Sequence, residues 1–269
     1  LPFYVETLGF REVARDAGQA TLAAHADDRV LVELVERRGV RPAGRGLLGL
    51  YHVAILLPDR ASLGRFVRHL SESRTPAGAG DHLVSEAFYL TDPDGLGIEV
   101  YVDRPRETWH RLGRELMLAT DPVDVRGLVA EAGEEAWSGM PAGTVIGHVH
   151  LHVGSIEQAQ AFYSEALGFD RMTWRYPGAL FLGADGYHHH LGTNTWAGAG
   201  ARPPADTDAR LLEWTIELPR ATDVAAVSQS LSDAGYPVEW AGEGDGMATT
   251  QDPWGTRVRW RAAGAGMHA

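Results

Sequence analysis

The chain contains no cysteine. Disulfides, thiolate metal ligands and cysteine nucleophiles are excluded, and the expected location, a reducing cytoplasm, is compatible with that absence. No apolar run approaches the roughly 18–20 residues of a membrane span, and no leader peptide is expected at the start. Positive charge is scarce: 24 Lys and Arg stand against 36 Asp and Glu, for a formal net charge of −12. That balance argues against a phosphate backbone or an anionic membrane surface as partner, so neither nucleic acid nor membrane is expected. What remains is ordinary globular material, 44% hydrophobic and 22% charged over 269 residues. It suffices for two domains, or one large one, with ample core.

Residues 144–153 (TVIGHVHLHV) read as a strand whose two-residue period puts His148, His150 and His152 on one face. Three imidazoles are poor core material, because each carries a polar nitrogen that needs a partner when buried. A solvated strand face would explain one such motif. A second copy argues otherwise, for residues 49–57 (GLYHVAILL) overlay it with His52 on His148.

The copies continue downstream, at residues 92–101 (DPDGLGIEVY), 184–191 (ADGYHHHL) and 252–260 (DPWGTRVRW). Counting four residues from Gly95, Gly186 and Gly255 reaches Glu99, His190 and Arg259. A fourth opening strand, residues 211–219 (LLEWTIELP), puts Glu213 where His52 stands. Opening and closing positions are 47, 42 and 46 residues apart in the second, third and fourth modules. This is an internal repeat.

The first residues (LPFYVETLGF) themselves repeat residues 160–169 (QAFYSEALGF). The numbering is therefore expected to begin inside a first module that lacks its opening strand and closes near Glu33. Each module reads as strand, helix and three-stranded meander, with helices near 60–73 and 156–167. The expected class is α+β, four βαβββ modules forming two incomplete β-barrels. Residues 1–104 would hold the N-terminal pair, 105–143 a connector with a short helix after Asp121 and Pro122, and 144–269 the C-terminal pair. Residues 192–206 form a long Gly/Ala/Pro loop of a kind that is often functional.

If opening and closing strands of paired modules face a common interior, each cup collects side chains from both modules. Modules two and three together collect His52, Glu99, His148 and His190; modules one and four collect Glu33, Glu213 and Arg259. Two histidines and a carboxylate with open coordination positions are the ligand type of non-haem Fe(II) oxygenases. The second set reads as a degenerate site closed by a salt bridge, since arginine does not give up its proton to bind a metal. Histidines hydrogen-bonded to Glu99 with no metal are the alternative.

These stretches carry a resemblance. Residues 49–58, 81–95 (DHLVSEAFYLTDPDG), Ile98 with Glu99, 147–153 and 187–196 (YHHHLGTNTW) resemble the vicinal oxygen chelate superfamily. Within it they look like the catechol 2,3-dioxygenase-type, extradiol ring-cleaving proteins of bacteria. The resemblance spans essentially the whole chain. It implies paired βαβββ modules around a divalent ion, Fe(II) or less often Mn(II), held by His52, His148 and Glu99. It also implies cleavage of catechol or a substituted catechol by O₂, with His190 from the cluster at 188–190 as acid/base and Tyr89 contacting substrate. His82 is a further candidate for a substrate-facing histidine. His150 would line the pocket or orient a ligand. His188, Asn194 and Trp196 would lie on the substrate side, the last two as a lid, unless Trp196 packs in the core. A homo-oligomer is compatible with the resemblance. His25, His69, His110 and His268 have no repeat partner and read as surface residues.

One departure stands out. The better-known two-domain extradiol enzymes carry the triad in the C-terminal half in the order His, His, Glu; here the order is His52, Glu99, His148. Pairing of modules two and three across the connector would accommodate it. Two other classes stay open: a glyoxalase-type metal-dependent isomerase or lyase with His190 as fourth ligand, and a non-catalytic small-molecule-binding protein. The His/Glu set argues against the apolar cup that the last would need.

Overall fold

The computed structural model describes residues 1–241 and 246–264; His268 lies outside the described residues. Two compact bodies are present, one made of residues 1–44, 51–150 and 206–209, the other of residues 45–50, 151–205 and 210 onward. Among the described residues no helix is long and apolar enough to cross a membrane.

The first body opens with a helical turn, Phe3–Thr7, followed by β1 (Arg11–Asp16), β2 (Gln19–Ala23) and β3 (Val30–Val35), an antiparallel sheet in that order. Then come β4 (Gly49–Leu56), α1 (Arg60–Glu72), β5 (Gly78–Asp81), β6 (Ser85–Thr91) and β7 (Gly97–Asp103). The connector contributes a small hairpin, β8 (Arg111–Leu112) and β9 (Glu115–Leu116), and the expected short helix, α2 (Val125–Glu131). β10 (Val145–His152) follows, and in this body the strands are hydrogen-bonded in the order β10-β4-β7-β6-β5. The opening strands of modules two and three are thus neighbours. β6 and β7 are buried on both faces, as befits central strands covered on each side.

α1 shows why the sequence folds as it does. Asp59 caps it, its carboxylate accepting from Ser62 N at 2.7 Å. Leu63, Phe66, Val67 and Leu70 recur at helical spacing and are all buried. The helix stops where Arg74 takes a φ of 56° and Thr75 N–H donates back to Leu70 O, a wide closing turn that satisfies an end carbonyl.

In the second body α3 (Ile156–Ala159) runs on into a wider-wound turn, Gln160–Ala166, followed by β11 (Asp170–Thr173), β12 (Ala179–Gly183) and β13 (Leu191–Asn194). Module four supplies β14 (Glu213–Leu218), α4 (Ala221–Asp233), β15 (Glu239–Trp240), β16 (Met247–Gln251) and β17 (Arg257–Ala262), ordered β14-β17-β16-β15. The repeat is met in hydrogen-bond register: β4 and β7 run parallel with Ala54 opposite Glu99, and β14 and β17 run parallel with Thr215 opposite Arg259. The Gly/Ala/Pro stretch begins inside β13, since Gly192 to Asn194 pair with β12; the loop proper starts at Thr195 and is tied down where Leu48 N–H donates to Arg202 O at 2.8 Å.

One buried contact is made twice. Tyr4 in the first module donates its hydroxyl to Asp92 in the second at 2.8 Å. Tyr163 in the third donates to Asp252 in the fourth at 2.7 Å. The second oxygen of each aspartate accepts two backbone N–H groups of its own turn, Asp94 and Leu96 in one, Trp254 and Thr256 in the other. The Phe-Tyr and Asp-Pro repeats are therefore the two halves of one pin. Burial pushes both aspartates above the ordinary carboxylate value, against their hydrogen bonds. Tyr163→Phe removes a donor to a buried carboxylate and should cost about 1–3 kcal/mol, measured by urea unfolding. A carboxyl raised by folding contributes stability that is complete in acid and is lost as pH rises from its unfolded value, about 3.9, through its folded value. Asp252→Asn should flatten that part of the stability–pH curve, and an unaltered slope would contradict the assignment.

Candidate metal centre

Three side chains from β4, β7 and β10 converge inside the first body. His52 Nε2 lies 2.9 Å from Glu99 Oε2, His148 Nε2 lies 3.4 Å from the same oxygen, and the two nitrogens are 3.4 Å apart. Their residues are 5%, 2% and 3% exposed for His52, Glu99 and His148. The parallel pairing of β4 with β7 makes this possible, and it demands a glycine. A Cβ on Gly97 would stand 2.0 Å from Tyr51 O and 3.1 Å from His52 Cβ, closer than packed atoms come.

The triangle fits a single divalent ion. Ligand atoms about 2.0–2.2 Å from one ion at angles of about 90–110° span edges of about 2.8–3.6 Å. Among the described residues this is the cluster of three His and acidic donors placed to hold a metal. Electrostatics agree. Burial works to raise the Glu99 carboxyl, but the His148 and His52 imidazoles outweigh it and hold the group well below the usual carboxylate range. An ionised carboxylate is what a cation needs.

Around the triad lies a ring of aromatics from the same body. Tyr89 faces Glu99 across the β6–β7 pairing, and its ring centre is 5.6 Å from that of His52. His150, also buried, stands edge-on to His52 at 4.9 Å and to Tyr51 at 5.1 Å. Tyr101 tilts against His148 at 5.0 Å with its hydroxyl over Gly147, where a Cβ would meet it at 1.9 Å. Tyr51 and Tyr101 escaped the sequence reading, although each sits one or two residues from a ligand. His82 donates Nδ1–H to Ala119 O at 2.7 Å, since a carbonyl can only accept. In the neutral ring Nε2 is then bare, and the Tyr89 hydroxyl donates to it at 2.5 Å.

The other expected residues lie in the second body. His188 and His189 are buried, with their Nδ1 atoms 2.8 Å apart. Asn194 is fully buried and clips two neighbours through one oxygen, accepting from His152 Nδ1 at 2.6 Å and from Trp196 N at 3.0 Å. Trp196 is 45% exposed, so core packing is not its role. The count that gave His190 needs correcting. Leu57 N–H donates to Tyr101 O and Val153 N–H donates to Asn194 O, and these are equivalent bonds five residues beyond His52 and His148. Glu99, two before Tyr101, therefore corresponds to Gly192. The turn between β12 and β13 is longer than its counterpart, which shifts the register. His190 serves that turn: its Nδ1 accepts from Ala184 N at 3.2 Å, and its ring lies against Tyr187 and Phe169.

Of the histidines read as superficial, His25 and His110 are exposed. His69 is not; it is half-buried and donates to Thr7 O at 3.2 Å. Of the degenerate set, Arg259 and Glu213 pair at 2.6 Å within module four, while Glu33 lies in the first body, where it accepts from Gln19. Replacing Glu99 by Ala should weaken divalent-metal binding by at least about 100-fold, more than loss of an outlying ligand partner costs. Metal titration followed by calorimetry measures this, and stoichiometric retention in the variant would sink the ligand set. Gly97→Ala should lower the affinity too, with no ligand touched.

Comparison with known proteins bears on the fold and the family. The model of the Glyoxalase/Bleomycin resistance protein/Dioxygenase superfamily matches residues 1–100 and 145–259. The chain is 46% identical over 245 residues to a protein of Bacillus subtilis (strain 168) named catechol-2,3-dioxygenase, covering 89% of this chain and 85% of that one. In fold it is similar to a candidate dioxygenase of Bacillus subtilis, with TM-score 0.64 at 12% identity over 97% of this chain and 79% of the other. It is also similar to glyoxalase I from Zea mays, with TM-score 0.55 at 16% identity over 97% and 86%. A mixed α+β chain of repeated βαβββ modules with curled sheets, so matched along most of its length, belongs to the Glyoxalase/Bleomycin resistance protein/Dioxygenase superfamily, the vicinal oxygen chelate fold.

Proposed function

We propose that this catechol-2,3-dioxygenase-like enzyme is an extradiol ring-cleaving dioxygenase that opens catechol or a substituted catechol with O₂. The observation that carries this reading is the buried triangle of His52, Glu99 and His148; it would supply three ligands to one ion, the number that leaves coordination positions for a bidentate diol and O₂. Fe(II) is the ion of choice, with Mn(II) as substitute. Bound there, it supplies Lewis acidity and redox coupling between diol and O₂. Both oxygen atoms end in the product, so no external reductant is needed.

The protein groups then have separable tasks. Glu99 brings the single negative charge of the triad, kept ionised by the two imidazoles. Tyr89 and His82 form a proton relay: a diol proton taken by the Tyr89 oxygen is matched by transfer of the tyrosine's own proton to His82 Nε2. The imidazolium so formed is stabilised by the Ala119 carbonyl on Nδ1. Tyr89, His150 and Tyr51 give an aromatic ring edges and faces to pack on. In this reading the acid/base role expected of His190 passes to Tyr89 and His82. His188, Asn194 and Trp196, expected on the substrate side, lie in the second body and are given no task in this reading.

The isomerase or lyase reading has less support, because the fourth ligand expected for it, His190, is not at the position equivalent to Glu99, where register puts Gly192. Loading with Fe(II) under anaerobic conditions, then exposure to a panel of catechols in air, should give a coloured ring-opened product. Tyr89→Phe should slow turnover by about 10²–10⁴-fold with metal content unchanged, the scale for losing an acid/base. A loaded protein that cleaves no diol would overturn the assignment.

A further inference from the structure

We infer that the connector and Gly80 form a clamp that fixes the tautomer and position of His82, making residues 119–121 and Gly80 positioning elements for the Tyr89 hydroxyl. This deepens the proposed function, since it concerns the relay of that same site, but the clamp itself is a matter of hydrogen bonds independent of any reaction.

His82 rides on a turn, not a strand, so its ring must be held by what surrounds it. Three restraints do so. Asp81 and Asp121 exchange two backbone hydrogen bonds, at 2.8 and 2.9 Å, which zips the connector onto the end of β5. That pairing delivers the Ala119 carbonyl to His82 Nδ1. The turn is also pinned through the Asp81 side chain. One oxygen accepts from Leu83 N at 2.9 Å and the other from Arg104 at 2.5 Å. Arg104 in turn shares the fully buried Glu86 with Arg60.

The pinning acts against local preference. Leu83 has φ 69°, a left-handed conformation that costs a non-glycine residue roughly 1 kcal/mol or more. A strained residue next to a functional candidate, held by an ion-paired aspartate, marks a conformation fixed by its surroundings.

Gly80 completes the clamp from beneath. A Cβ there would stand 3.1 Å from His82 Cε1, 3.3 Å from Nε2 and 3.4 Å from Thr120 Cγ2. Gly80 is not in the left-handed region, so its backbone would accept alanine. A methyl there would press on the imidazole and displace it from its space by a few tenths of an ångström. With the ring in that space and Nδ1–H committed to Ala119, Nε2 can only accept, and the Tyr89 hydroxyl is aimed as a donor beside His52. The connector thereby joins the site without contributing a side chain to it.

The test has a direct and a kinetic part. Imidazole ¹⁵N NMR of the wild-type protein without metal, with the His82 signal assigned by its loss in His82→Gln, should show the Nδ1–H tautomer at neutral pH. An Nε2–H tautomer or an imidazolium would overturn the clamp. Gly80→Ala should lower kcat by about 10–100-fold, the scale of a small misplacement, with KM and bound metal unchanged. The loss should vanish in a Tyr89→Phe background, because the clamp acts through that hydroxyl. Unchanged kcat, or losses that multiply with those of Tyr89→Phe, would refute it. If Gly80→Ala fails to fold, the wild-type tautomer decides alone. It decides likewise if the wild-type enzyme cleaves no catechol, which would end the functional reading without touching the clamp.

Discussion

A carboxylate with almost no access to water must be paired, and Glu99 is paired by two imidazoles from two other strands. Much else follows from that requirement. The strand bearing Glu99 must lie parallel to the strand bearing His52, close enough that only glycine fits at position 97. The strand bearing His148 must flank the pair. Removing either histidine would leave a buried charge short of a partner, a loss of several kcal/mol in other proteins. A bound cation resolves the same problem more fully than imidazoles alone. The geometry needed for pairing is also the geometry of ligation.

The repeat explains how a small module reaches so specific an arrangement. The same tyrosine–aspartate pin recurs, once between modules one and two and once between three and four. The same parallel register recurs in β4 with β7 and β14 with β17. Yet the occupants of the equivalent positions differ: histidine and glutamate in module two, glutamate and arginine in module four, histidine and glycine in module three. The scaffold is held constant by the pins, and chemistry is decided by two positions per module.

That division also governs what the sequence disclosed. Strands, helices and pins show as periodicity and recurring tyrosine, proline and glycine, so the modules and the triad of His52, Glu99 and His148 were legible. His190 was misread because counting from a glycine assumes turns of equal length, and the turn before β13 is longer; only hydrogen-bond register finds Gly192. The partner of His82 was invisible for another reason. Ala119 acts through its carbonyl, which every residue possesses, so no side chain marks it. His69 looked superficial because its partner is likewise a backbone oxygen, that of Thr7.

His52 and His148 are 96 residues apart, and this bears on how the enzyme is made. At about 5–20 residues per second, a ribosome needs roughly 5–20 s to add the second histidine after the first. During that interval the chain carries His52 and, later, Glu99, but not the second imidazole. The triangle of donors is therefore complete only after residue 148 has been added, so the buried carboxylate gains its full set of partners late in synthesis.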